Sequence, residues 1–279
     1  MGQLEGKVAL VTGAARGQGR SHALRLAEAG VDIVALDLME PIASVSYPMP
    51  TEADLEETVA GVEKLDRRIV ARKADVRVRS QVQAVVEEGL ATFGRLDIVV
   101  ANAGIATPGA PFHLIPEQQW DDAMAVNVKG VWNTCAVAVP HLIERGQGGA
   151  IVITASGAGL RAAPHIADYV ASKHAAVGLM KTMANELAQH YIRVNAVCPS
   201  TVDTPMIQNE ALYRLFRPDL EDPGREDAVE AFRAMNPIPE PWLDVRDISA
   251  AVLWLVSDEA RYITGVALPV DLGLDNKFL

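Results

Sequence analysis

Short runs of aliphatic and β-branched residues alternate with longer amphipathic stretches along this chain. That alternation predicts parallel strands joined by crossover helices. Strands are expected at 8–11, 33–36, 69–72, 98–101, 151–154, 193–197 and 267–270, and helices over 19–29, 54–65, 80–93, 118–143, 169–190 and 247–256. Runs apolar at every position, such as Ile98-Val99-Val100-Ala101, suit strands covered on both faces. Pro140, late in the fourth helix, is expected to kink or end it. Two segments break the rhythm. Positions 38–53 hold Pro41, Pro48 and Pro50 where a tight connection belongs, and 201–241 is long and rich in Met, Phe, Leu and charge. Long irregular segments in compact domains tend to be lids or binding loops. The expectation is one α/β domain over 1–279, a parallel sheet of about seven strands flanked by helices. An insertion at 38–53 and a substrate-side lid at 201–241 interrupt it.

Composition narrows the partners. A chain of 279 residues, 49% hydrophobic, can bury a core without disulfides or metals. Its net charge of −11 argues against nucleic acid, which needs a basic surface, and disfavours an anionic membrane. No stretch approaches the roughly 20 apolar residues of a membrane span, and the first apolar run, 8–11, is too short for a signal-peptide core. Cys135 and Cys198 sit in apolar surroundings and read as buried thiols in a reducing compartment, so the cytoplasm is expected. The six histidines show no metal-ligand spacing, and no metal is expected.

The first strand runs into Thr12-Gly13-Ala14-Ala15-Arg16-Gly17-Gln18-Gly19, followed by a helical apolar face at Ala23, Leu24, Leu26 and Ala27. Glycines at such a turn let the backbone approach a pyrophosphate, and the helix N-terminus supplies amide donors. Gly13, Arg16, Gly17, Gln18 and Gly19 are therefore expected at a dinucleotide. Asp37 ends the second strand about 20 residues on, where a carboxylate can accept from both ribose hydroxyls of NAD. It would also repel a 2′-phosphate. Two unit charges about 4 Å apart at an effective dielectric near 20 interact by roughly 4 kcal/mol, and half of that exceeds tenfold. Arg16 could instead pair with such a phosphate, but Leu38, also placed at the cofactor, adds no second positive charge; NAD is the expectation. Asp75 and Val76 follow the third strand and can cap the adenine edge. Asn102, Ala103 and Gly104 follow the fourth and let the chain pass beneath the ribose.

Tyr169 and Lys173 lie four apart in a predicted helix and share one face. A nearby ammonium, together with the positive charge of the nicotinamide, favours phenolate, so the pair can take an alcohol proton as hydride leaves carbon. Ser156, at the end of the fifth strand, can donate to the substrate oxygen. Asn127 can hold a water against Lys173 and complete a proton relay.

Taken together, Thr12–Gly19, Asp75, Asn102–Gly104, Asn127, Ser156, Tyr169 and Lys173 make a sequence that resembles the short-chain dehydrogenase/reductase family over nearly its whole length. The resemblance implies a doubly wound Rossmann sheet, an Asn-Ser-Tyr-Lys catalytic set and a homotetramer. It also places Pro199, Thr201 and Val202 at the cofactor, although Ser200 stands where the family commonly has glycine. The stretch Pro41-Ile42 through Tyr47-Pro48-Met49-Pro50-Thr51, then Asp54-Leu55, resembles the insertion of carveol dehydrogenase-like, mycofactocin-coupled members. That likeness implies an insertion that covers the cofactor and slows its exchange. It further implies apolar, terpenoid-like secondary alcohols as substrates and a redox carrier that reoxidises bound NADH. The competing functions are an NAD-sensing regulator without catalysis, or an epimerase or dehydratase that recycles its NAD.

Overall fold

The structure, a computed structural model, describes residues 4–277; the one-domain reading over 1–279 extends at both ends outside the described residues. Strands β1 (Val8–Thr12), β2 (Asp32–Asp37), β3 (Ile69–Lys73), β4 (Ile98–Ala101), β5 (Gly149–Thr154), β6 (Ile192–Pro199) and β7 (Ala267–Val270) fall where the apolar runs place them. They form one sheet in the order β3-β2-β1-β4-β5-β6-β7, parallel at every pairing.

Side chains of β1 alternate between two cores. Val8 and Leu10 join Val82, Val85 and Val86 of helix α3 (Arg79–Phe93) on one face. Ala9 and Val11 join Ala23, Leu26 and Ala27 of α1 (Gly17–Glu28), with Ile248, Val252 and Leu255 of the last helix, Val245–Val256, on the other. Both faces are covered, which is why the strands read as unbroken apolar runs. Helix α2 (Glu52–Glu63) opens on a reciprocal cap between Thr51 and Asp54, so it starts two residues before the pattern predicts.

The stretch expected as one helix over 118–143 is broken, though not at Pro140. It comprises α4 (Glu117–Met124), a π turn at Ala125–Gly130 and α5 (Val131–Arg145). Helix α5 runs through Pro140 to Arg145. The proline removes the donor that would reach the Ala136 carbonyl, and Arg79 Nη2 donates to that oxygen instead, at 3.5 Å. A π turn adds one residue to the helix and leaves no mark in the apolar spacing. Helix α6 (Ala167–Leu187) carries Tyr169 and Lys173.

The segment 201–241 holds two helices that the sequence reading lacked, α7 (Glu210–Phe216) and α8 (Arg225–Met235). They share a small core of Tyr213, Ala228 and Phe232, with Phe216 and Trp242 stacked around Phe232 at 4.4 and 6.0 Å. The helix Val245–Val256 is therefore α9. Residues 38–51 have no regular structure, yet Ile42 and Tyr47 are buried. Both cysteines are free and buried. No helix among the described residues is long and apolar enough to cross a membrane.

Candidate active site

The strand order reverses between β1 and β4, which opens a crevice at the carboxyl ends of the strands. An open cleft lies there, running from the glycine turn at Gly13–Gly19 to Tyr169 and Lys173. Its floor needs glycine. Gly13 has φ +67°, and a Cβ at Gly19 would fall 1.9 Å from the Gly13 carbonyl oxygen. Arg16 is the N-cap residue of α1 and makes no side-chain cap, so the first-turn amides of Gly17, Gln18 and Gly19 remain open to an anion. Thr12 Oγ1 accepts from the amides of Asn102 and Ala103, both at 3.1 Å, and Asn102 Nδ2 donates to the Thr12 carbonyl at 3.0 Å. The β4 end is thereby fixed to the glycine turn, with Asn102, Ala103 and Gly104 in the cleft wall.

Asp37 is buried beneath the cleft, its Oδ2 accepting from Ala15 N at 2.9 Å and its Oδ1 from Leu38 N at 2.8 Å. Burial raises its carboxyl above the ordinary range, opposed by those two bonds and the Arg16 charge. Arg16 itself donates through Nη2 to the Pro48 carbonyl, so its guanidinium ties the glycine turn to the 38–53 segment. Asp75 lines the cleft, but its carboxylate is occupied by Arg77, at 2.7 Å from Nη2. Its reach toward an adenine is therefore shared with that ion pair. Val76 lines the wall directly.

At the other end, Lys173 is buried and its Nζ donates to the Thr154 carbonyl at 3.0 Å. Burial pulls its pKa down to about 8, with a small opposing contribution from Cys198. Tyr169 does not show the lowered value expected from its neighbour: burial raises it, and only the Ser156 hydroxyl, hydrogen-bonded to the phenol, opposes the rise. Desolvation disfavours phenolate in this state. Nζ lies 5.5 Å from the Tyr169 ring centroid. Ser156 also accepts from Ala158 N at 3.1 Å, which caps the turn after β5.

Asn127 lies in the π turn behind Gly104, where a Cβ on the glycine would sit 3.2 Å from Asn127 Oδ1 and 3.3 Å from Lys173 Nζ. The amide side chain is committed: Nδ2 donates to Ile105 O and Ser172 Oγ, both at 3.0 Å, and Oδ1 accepts from Ile105 N at 2.9 Å.

Three residues expected at the cofactor do not reach the cleft wall. Pro199 continues β6 in register with Val270. Thr201 Oγ1 is held by the Pro241 carbonyl at 3.0 Å, and Val202 bridges Leu243. The chain returns to the wall at Thr204, Pro205 and Met206. Sequence reasoning left out Thr154, which lines the cleft; it ends a recognised strand and was within reach of that rule. Tyr47 and Met49 also line it, with Tyr47 Oη accepting from Ala106 N at 3.2 Å. Both belong to the 38–53 insertion, as does Ile42, which lines the cleft beside them.

Comparison with known proteins agrees with this geometry. The short chain dehydrogenase family matches residues 7–213. The (-)-trans-carveol dehydrogenase of Rhodococcus erythropolis is 50% identical over 273 residues, covering 98% of this chain and 99% of that protein. A crystal structure of carveol dehydrogenase from Mycobacterium avium in complex with NAD superposes with a TM-score of 0.98 at 50% identity, covering 99% of this chain and 100% of that one. A short chain dehydrogenase from Mycobacterium paratuberculosis bound to NAD gives 0.90 at 41% identity, with 99% and 100% covered. The chain belongs to the short-chain dehydrogenase family.

Proposed function

We propose that this protein is an NAD-dependent alcohol dehydrogenase that interconverts a secondary alcohol and its ketone. The observation that carries this reading is the convergence of Tyr169, Lys173 and Ser156 at one end of a cleft whose other end is an anion cradle beside Asp37. NAD, when bound, supplies the hydride acceptor. Open first-turn amides at Gly17–Gly19 hold its pyrophosphate, and Asp37 holds the adenosine ribose. The chain's own groups manage the proton. Tyr169 takes the hydroxyl proton of the alcohol, and Ser156 holds the same oxygen. Lys173, whose ammonium is costly in this burial, stabilises the phenolate form of Tyr169 that accepts this proton and becomes the neutral phenol. Both Nδ2 hydrogens of Asn127 are committed, while Oδ1 accepts one bond and keeps a second lone pair that can hold a relay water against Lys173.

The substrate is an apolar, terpenoid-like alcohol, by the likeness to carveol dehydrogenases. Segment 38–53 covers the cofactor and slows its exchange, supported by the Arg16–Pro48 and Tyr47–Ala106 bonds that tie it across the cleft. A mycofactocin-type carrier would then reoxidise the retained NADH. The α7–α8 unit, pinned at Thr201 and Leu243, is the substrate-side lid. Exposed Trp120 and Trp132 on α4 and α5, with Trp254 on α9, offer apolar surface for a homotetramer in the cytoplasm. A regulator without catalysis has no use for the Ser156–Tyr169–Lys173 set, and among the described residues no second domain offers an epimerase its substrate platform.

Tyr169→Phe tests the reading. Turnover of secondary alcohols should fall by about a hundredfold or more, the share of an acid–base group, with NAD affinity near normal. Turnover within a few-fold of the parent would refute it.

A further inference from the structure

Residues 105–110 follow β4 beyond Gly104, begin with the cleft-lining Ile105, and are fastened almost residue by residue. Ile105 is held at both N and O by Asn127, Ala106 N by Tyr47, and Ala110 N by the His165 carbonyl at 2.8 Å. Between these anchors stands a polar cluster that the chemistry above does not use. Thr107 Oγ1 donates to Asp168 Oδ2 at 2.6 Å. Gln119 Nε2, from α4, donates to that same oxygen at 3.0 Å, to Thr107 Oγ1 at 3.1 Å and to the Pro108 carbonyl at 3.0 Å. Asp168 is wholly buried, and its other oxygen, Oδ1, has no hydrogen-bond partner. A buried carboxylate held through one oxygen depends on the few donors it has.

Its place in the chain gives this cluster a function. Asp168 directly precedes Tyr169 in the first turn of α6, so whatever holds its carboxylate sets the azimuth at which the phenol enters the cleft. Thr107 lies two residues beyond Ile105, a cleft-lining residue. The 2.6 Å bond therefore fixes the distance between the base and the wall that a substrate carbon would lean against. In oxidation of a secondary alcohol, that distance decides which of the two carbon substituents fits the wall side, and so which enantiomer presents its hydrogen for transfer.

We propose that Asp168 and Thr107 are positioning residues whose bond registers the 105–110 wall against the Tyr169 helix and thereby sets enantiomer selection. The inference rests on the alcohol dehydrogenase reading. Thr107→Val removes the hydroxyl at nearly constant volume, and Thr107→Ser keeps it. The assay compares kcat/KM for the two enantiomers of one secondary alcohol, with NAD affinity measured alongside. Thr107→Val should leave NAD affinity within twofold and cut the enantiomer ratio by about tenfold, with Thr107→Ser restoring it. A ratio within threefold of the parent, or an equal fall in Thr107→Ser, overturns the proposal. Should Thr107→Val fail to fold, Asp168→Asn is judged by the same ratio.

If the parent oxidises neither enantiomer, the alcohol reading fails and a second measurement still decides the clamp. Ring-¹³C-labelled tyrosine reports the Tyr169 resonance, assigned by its loss in Tyr169→Phe. That resonance should move in Thr107→Val and return in Thr107→Ser; no movement overturns the clamp.

Discussion

Burial of Lys173 has a consequence that can be measured without substrate. Its ammonium is taken from an ordinary pKa of 10.5 to about 8, chiefly by desolvation, and the side chain is only 4% exposed. Such a depression corresponds to about 3 kcal/mol against the charged folded form. The sign follows from proton counts. Between about pH 8 and 10.5 the unfolded chain keeps a proton that the folded protein has released, so stability rises with pH through that window. Below pH 8 the whole cost is in place. Lys173→Met removes this titration but leaves the Thr154 carbonyl without its donor, a pH-independent loss of about 1–3 kcal/mol. The two changes nearly cancel at neutral pH. Urea unfolding of cofactor-stripped protein should therefore find parent and variant about equally stable at pH 7. At pH 10 the parent should lead by about 2.5 kcal/mol more than it does at pH 7. Other groups titrate alike in both proteins and drop out of the difference. A gap constant to within about 0.5 kcal/mol from pH 7 to 10 would show an ordinary, hydrated lysine and refute the electrostatic account of the site.

Two further outcomes concern the cofactor. The parent should bind NAD at least about tenfold more tightly than NADP, and Asp37→Ala should bring the two dissociation constants within a few-fold. Equal constants in the parent would mean that Arg16 offsets the carboxylate despite its bond to Pro48. Holoprotein incubated with labelled NAD should take it up slowly, and Arg16→Ala, which frees segment 38–53, should speed uptake about tenfold or more. Complete exchange by the parent within one steady-state turnover would rule out retention.

The strands were legible because burial on both faces writes an apolar residue at every position, and Gly13–Gly19 because helix and turn geometry leave no room for a side chain there. Tyr169 and Lys173 were legible through helical spacing taken together with Ser156 at the end of the fifth strand. What escaped the sequence was decided by contacts distant along the chain. The π turn that carries Asn127 adds a residue without disturbing amphipathicity. Pro140 fits in α5 because Arg79, in another helix and 57 positions from Ala136, reaches the Ala136 carbonyl that the proline frees. Helices α7 and α8 pack chiefly on each other around Phe232, so their apolar positions resembled a disorganised loop. Thr201 and Val202 turn from the cleft because Pro241 and Leu243 claim them. Spacing gave Tyr169 a charge partner but not its desolvation, which raises the phenol before any charge of a bound nicotinamide is added.

Hydride transfer in the holoprotein tests the central claim most directly. A panel of apolar secondary alcohols bearing deuterium at the carbinol carbon is mixed with NAD-loaded protein, and products and cofactor are analysed by mass spectrometry after quenching. The account predicts that at least one alcohol yields its ketone, with one deuterium on the dinucleotide for each ketone formed. Tyr169→Phe should form it about a hundredfold more slowly. Ketone formed without deuterium on the dinucleotide, or NAD-loaded protein that oxidises none of the panel, would contradict it.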